Sequence, residues 1–316
     1  MNALGSQHIP FLFVIDFQMQ QPIVMPLNEI NQEEMQFCIH GKGNQTNEAV
    51  EEKKEIVFTF QPPDFQLYKK AFDEVMFHLD RGDSYLLNLT MPVKLFTNLQ
   101  LFDIFQLNNA PYKLWMKDKF TVFSPEPFVK ISQGKIFSHP MKGTIDADLP
   151  DAEKQLLADP KELAEHYTIV DLIRNDLNIV SSEVQVDLFR YIEKIHTHRK
   201  NLLQTSSVIS GRLPEDYTTH IGTIITKLLP AGSVSGAPKK RTTEIILEAE
   251  RYNRGYYTGI FGIFDGINLD SGVMIRFIEQ TESGLFFKAG GGITVQSKVN
   301  DEYNELLDKV YLPFTG

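Results

Sequence analysis

Cysteine is almost absent from this chain of 316 residues: Cys38 is the only one. No disulfide can form within the chain, and no zinc or iron–sulfur centre can be built on cysteine ligands. A basic excess is also missing, since 31 Lys and Arg face 41 Asp and Glu, for a net charge of −10. Nucleic-acid binding by phosphate neutralisation runs on the opposite balance. An acidic chain that binds an anion must gather positive charge in one pocket or use a metal. Long apolar runs are lacking. Phe11–Ile15 is cut by Asp16, which is too short to span a membrane and has neither the basic flank nor the cleavage site of a secretory signal. The expectation is a cytoplasmic protein that meets neither nucleic acid nor membrane. Repeats and low-complexity tracts are absent. What is present is globular, with 42% hydrophobic and 23% charged residues, which excludes a disordered or fibrous chain. The length allows one large domain or two ordinary ones.

Apolar and aromatic segments at Phe11–Phe17 and Met35–Ile39 predict strands, and the polar run 41–55 predicts a loop. Helical spacing predicts a helix over Phe65–Leu79, stopped by Arg81-Gly82-Asp83, with a strand over Tyr85–Val93 after it. Two helices are expected at Asp151–Leu157 and Pro160–Arg174, the second capped by Asp159 with Pro160 in its first position. Further helices are expected at Lys240–Glu250 and Asp301–Tyr311, and strands at Gly255–Phe264, Ser271–Ile278 and Leu285–Ala289. Strands and helices mix without regular βαβ alternation, which favours α+β.

Several groups of residues carry chemistry. Glu162 and Glu165 are three apart on one predicted helix, and Glu302 and Glu305 on another. Residues so spaced share a helix face, and two such faces would offer oxygen ligands to Mg²⁺; solvated helix faces are the plainer alternative. Gly290-Gly291-Gly292 after a strand lets backbone N–H groups approach an anion or makes a tight turn. The small-residue loop Pro230–Lys239 offers N–H groups and hydroxyls. Lys142 follows an apparent hairpin as an anion clamp, a nucleophile or a surface lysine. Arg276 lies in an apolar strand, Val273–Phe277, where alternation puts it on one face with Met274 and Ile278, so it requires a partner, a ligand carboxylate or a glutamate. His196 and His198 read as a polar segment, and Trp115 as core.

The ordered series Ser124-Pro125-Glu126, Pro140–Thr144, Ala164-Glu165-His166, Asp171–Leu177, Pro230–Lys239, Arg254–Gly259, Ile275-Arg276, Ala289–Ile293 and Glu302–Lys309 resembles the chorismate-utilising enzymes. The resemblance covers residues 80–312. It implies a four-layer α/β/β/α sandwich with two large, largely antiparallel sheets packed across each other. It places residues 81–316 in the chorismate-binding catalytic domain, to which a shortened segment, 1–80, contributes strands. It implies a Mg²⁺ cofactor at Glu162, Glu165, Glu302 and Glu305, and chorismate contacts from Gly143, Thr144, Gln204, Ser233, Tyr257, Arg276, Gly290, Gly292 and Lys309.

Lys142 points to the aminodeoxychorismate synthase component I branch, in 4-aminobenzoate and folate biosynthesis, rather than to anthranilate synthase component I. There Lys142 would be the nucleophile and Glu126 the acid that protonates the leaving hydroxyl. Cys38 lacks a nucleophile elbow, so ammonia is expected from a separate glutamine amidotransferase subunit. Two positions depart from the family pattern. Leu86 stands where amine-transferring members carry glutamine, and Gln204 where histidine is usual. With the short first segment, these departures motivate a non-catalytic chorismate-binding paralogue as a rival, and tryptophan inhibition is not expected.

Overall fold

The computed structural model describes residues 1–46, 56–196 and 201–312. Two nine-stranded antiparallel sheets carry the fold. The first runs from Met141–Asp146 through Asn201–Arg212, Lys135–Ser138, Pro127–Ser132, Leu269–Val273, Ile260–Phe264 and Phe11–Ile15 to Ile23–Pro26, and Ser182–His196 pairs with Asn201–Arg212. The second runs from Gly236–Ala237 through Leu86–Thr97, Gly284–Ile293, Phe277–Thr281, Phe120–Ser124, Tyr112–Met116 and Met35–Ile39 to Lys42–Gly43, and Phe58–Gln61 pairs with Leu86–Thr97.

The layering follows from which faces are apolar. Phe11, Phe13 and Ile15 pack in a core with the helices Pro160–Asn178 and Ile221–Lys227, while Leu12 and Val14 pack in a second core with residues of both sheets. A strand buried on both faces reads as an unbroken apolar run rather than an alternating one. A third core joins the second sheet to the helices Phe65–Asp80, Leu101–Leu107, Lys239–Glu250 and Val299–Asp308, and includes Trp115. Helix, sheet, sheet and helix layers result, as expected for an α+β sandwich. Among the described residues no helix is long and apolar enough to cross a membrane.

The predicted helices are present with ends shifted by a few residues, and Asp159 Oδ1 accepts from the Glu162 N–H at 3.1 Å, the cap expected of it. The segment 41–55 departs from a plain loop at Lys42–Gly43, and 47–55 and His198 lie outside the described residues. Ser271–Ile278 is not one strand. Leu269–Val273 belongs to the first sheet and Phe277–Thr281 to the second; the chain crosses between them at Met274–Arg276, with Arg276 at φ +53. Strand alternation therefore does not place Arg276, which occupies a crossing and not a strand face. The glycine run is likewise not a turn. Gly290, Gly291 and Gly292 lie inside the strand Gly284–Ile293, opposite Thr90, Leu89 and Asn88.

Candidate active site

Two sheet crossings build the centre of the site. Phe120–Ser124 of the second sheet passes to Pro127–Ser132 of the first through Pro125 and Glu126. The second crossing delivers Arg276. The two are tied together where the Val273 N–H donates to the Glu126 carbonyl at 3.0 Å. Both side chains line a cavity of about 980 Å³, a size suited to a small-molecule ligand. Lys142, Thr144, Gln204, Ser233, Tyr257, Gly290, Gly292, Glu305 and Lys309 line the same cavity. Of the residues expected from sequence, Gly143, Glu162, Glu165 and Glu302 are not in its lining.

Glu126 accepts a hydrogen bond from Ser233 Oγ, so the small-residue loop does supply a hydroxyl. Burial pushes the Glu126 carboxyl above its ordinary range, against the opposing effects of the Ser233 bond and the charges of Arg276, Lys309 and Lys142. A carboxyl raised in this way holds its proton to higher pH than an exposed one and is suited to act as a proton donor. Burial also raises the Tyr257 phenol, which stays neutral.

Lys142 sits at an irregular step of the strand Met141–Asp146, where the register against Asn201–Arg212 shifts before Thr144 and Gly143 takes φ +78. Its Nζ donates to Glu165 Oε2 at 2.7 Å. Its carbonyl accepts from Thr205 Oγ1, and Thr205 in turn contacts His166 Nδ1 at 3.5 Å. Burial, then the charges of Arg190 and Lys142, lowers the His166 pKa to about 4, so this imidazole is neutral under the lysine. Thr205 and His166 were not among the expected site residues. The pairing of Lys142 with Thr205 across two strands places the threonine, and spacing along the chain gives no sign of it; His166 reaches it from the helix Pro160–Asn178, within the motif Ala164-Glu165-His166.

A second lysine, Lys309, lines the cavity beside the glycine run. Lys309 Nζ donates to Gly290 O at 2.9 Å and Glu305 Oε1 at 2.7 Å. The neighbouring strand Phe277–Thr281 starts opposite Lys288, so the glycine run is paired only on its Leu86–Thr97 edge. Arg276 Nε donates to Tyr311 Oη at 3.1 Å.

The four glutamates remain in two pairs. A Cβ placed on Gly143 would lie 2.9 Å from Glu162 Oε2, and one on Gly291 would lie 3.2 Å from Glu305 Oε1 and 3.6 Å from Glu302 Oε2. Glu162 thus borders Gly143, and Glu302 and Glu305 border Gly291, and these carboxylates offer the oxygen donors that suit a hard divalent cation. Among the described residues no group of three or more acidic, histidine or cysteine side chains is gathered in one place, so a Mg²⁺ here would take one or two carboxylates and fill its remaining positions with water and substrate oxygens. Cys38 is buried in the strand Met35–Ile39.

A buried network supports the site from beneath. Arg254 donates to both Glu250 oxygens at 2.8 and 2.6 Å, to Val234 O at 3.0 Å and to Asn88 O at 2.6 Å. Arg254 opens the motif Arg254–Gly259, and only its burial and partners show what it does.

A family model described as chorismate binding enzyme matches residues 17–314. The chain is 53% identical over 315 residues to an uncharacterized PabA-like protein of Haemophilus influenzae, spanning 100% of this chain and 95% of that one. It is 34% identical over 262 residues to aminodeoxychorismate synthase component 1 of Klebsiella aerogenes, spanning 77% of this chain and 56% of that enzyme. Among solved structures, anthranilate synthase component I of Streptococcus pneumoniae superposes with a TM-score of 0.68 at 26% identity, over 81% of this chain and 59% of that one. The chain spans a little over half the length of these two synthases.

Proposed function

The chain belongs to the family of chorismate binding enzymes, and on that premise we propose that it converts chorismate and ammonia to 4-amino-4-deoxychorismate. The observation that carries this reading is Lys142 in the wall of a cavity that also holds Glu126, Arg276 and Lys309. Arg276, Lys309 and the open edge of the glycine run take the substrate carboxylates, with Tyr257, Ser233, Thr144, Gln204 and Gly143 around them. Lys142 Nζ first gives up a proton to solvent and then attacks ring C2 as the free amine, and Glu126 gives its proton to the departing C4 hydroxyl, which leaves as water. Ammonia then attacks C4, and the C2–N bond breaks to return the lysine amine. Ammonia enters, water leaves and the enolpyruvyl group is retained. Glu162, Glu165, Glu302 and Glu305 are the residues that would hold Mg²⁺, which when bound supplies positive charge for the ring carboxylate. The ammonia comes from a separate glutamine amidotransferase subunit, and the product feeds 4-aminobenzoate and folate synthesis in the cytoplasm.

The similarity to an anthranilate synthase structure supports a second reading, amination with loss of pyruvate. A product assay separates the two. The purified chain is incubated with chorismate, Mg²⁺ and ammonium, with and without an added aminodeoxychorismate lyase, and products are resolved by mass spectrometry. The expected product keeps its enolpyruvyl group and is converted by the lyase to 4-aminobenzoate. Anthranilate would favour the second reading. Chorismate binding without turnover would mark a non-catalytic paralogue.

A further inference from the structure

Leu86 leaves part of the cavity wall apolar, yet an ammonia molecule that attacks carbon must be held in place with its lone pair free. Two residues further along the same strand is Asn88, which also lines the cavity. Strand alternation puts the two side chains on one face. Gly292 pairs with Asn88, and a Cβ added to it would stand 3.1 Å from Leu86 Cδ1. All three positions therefore look the same way, and the absence of a side chain at Gly292 keeps the space beside Asn88 open. The Asn88 backbone is committed, its N–H donating to Ser235 O at 2.9 Å and its carbonyl accepting from Arg254 Nη2 at 2.6 Å. Its side-chain Oδ1 is buried with no hydrogen-bond partner. Among the described residues the other such orphans belong to Thr46, Gln106 and Arg190, none of which lines the cavity. An orphaned buried acceptor costs free energy that an arriving donor recovers.

We propose that Asn88 is a substrate-positioning residue whose carboxamide oxygen takes an N–H of the incoming ammonia. The inference rests on the amination reading above. The last torsion of an asparagine side chain is broad, so the oxygen turns to a donor that enters the cavity. Bound through its N–H, ammonia keeps its lone pair for the attack, the service that an apolar Leu86 cannot perform.

The test is steady-state kinetics of Asn88→Leu, with ammonium varied at saturating chorismate and then the reverse. The KM for ammonium is expected to rise about ten-fold, the loss of one hydrogen bond, while the KM for chorismate stays within about two-fold. Adding Leu86→Gln, which returns an amide to the same face, is expected to recover much of the ammonium KM. Asn88→Ala, which only deletes atoms, replaces the leucine variant if that chain does not fold. An unchanged ammonium KM in a variant that still aminates chorismate overturns the role of Asn88 alone. No aminated product from the unsubstituted chain overturns the amination reading and this inference with it.

Discussion

At the scale of single residues, Glu126 is a buried carboxyl whose proton is held by its surroundings. As an acid it acts only while protonated, so turnover falls on the alkaline side as it ionises. The Ser233 hydroxyl favours the ionised form. Removing it in Ser233→Ala therefore raises the Glu126 pKa further, and the alkaline limb of the kcat profile is expected to move to higher pH. A limb that moved down or stayed in place would remove Glu126 from the acid role. Lys142→Ala is expected to abolish ammonium-dependent turnover while chorismate still binds, measured by rapid-mixing product analysis and by ligand titration. Near-normal turnover would end the nucleophile role. Glu126, Lys142 and Arg276 were legible from the sequence through their ordered motifs. Thr205 and Asn88 were not, because what they do depends on the strand that lies opposite, and pairing partners are not written in local spacing.

At the scale of elements, the helices were the easiest to read, because one apolar face repeats at helical spacing and Asp159-Pro160 marks a start. The sheet crossings were the hardest. Ser271–Ile278 stays apolar through the point where it changes sheets, since both sheets bury both faces, and the bend falls on Arg276 rather than on a glycine. Gly143 shows how an irregular step within a strand shapes the site. It takes φ +78, and an added Cβ would press on Glu162 Oε2 at 2.9 Å and Leu156 Cδ1 at 3.2 Å. Gly134, in the turn of the preceding hairpin, takes φ +71 with nothing within 4 Å. Gly134→Ala is expected to cost only the backbone penalty, about 1 kcal/mol, and to leave turnover unchanged. Gly143→Ala is expected to cost more and to lower turnover, because the added Cβ presses on a carboxylate packed directly against the backbone between Lys142 and Thr144, both of which line the cavity. Urea unfolding and initial rates on the two variants make the comparison, and equal effects on both would remove Gly143 from the site.

At the scale of the whole molecule, no stretch of sequence announces how the two sheets and their helices are joined, since partners such as Phe11–Ile15 and Ile260–Phe264 lie at opposite ends of the chain. The Arg254–Glu250 pair is one of the joints. Both side chains are almost fully excluded from solvent, at 0% and 1% exposure. Glu250 Oε1 accepts from the Thr90 N–H at 2.7 Å, so the pair binds the helix Lys239–Glu250 to the strand that carries Leu86 and Asn88. Arg254 also holds Val234 O at 3.0 Å, next to the serine that bonds Glu126. A buried pair adds little net stability over apolar residues, but removing one partner strands the other charge, at a cost of about 3–5 kcal/mol. Arg254→Met is therefore expected to be strongly destabilised in urea unfolding. Arg254→Met combined with Glu250→Leu is expected to recover part of that loss, because no charge is then left unpaired. The recovery should be incomplete, since Val234 O, Asn88 O and the Thr90 N–H lose their partners in both variants or in the double variant. A double variant no more stable than Arg254→Met would place the whole cost in those lost hydrogen bonds rather than in the stranded carboxylate. Below the unfolding transition, turnover in the double variant is expected to stay well under that of the unsubstituted chain, because Asn88 and the Ser233 loop would have lost the side chain that fixes their backbone.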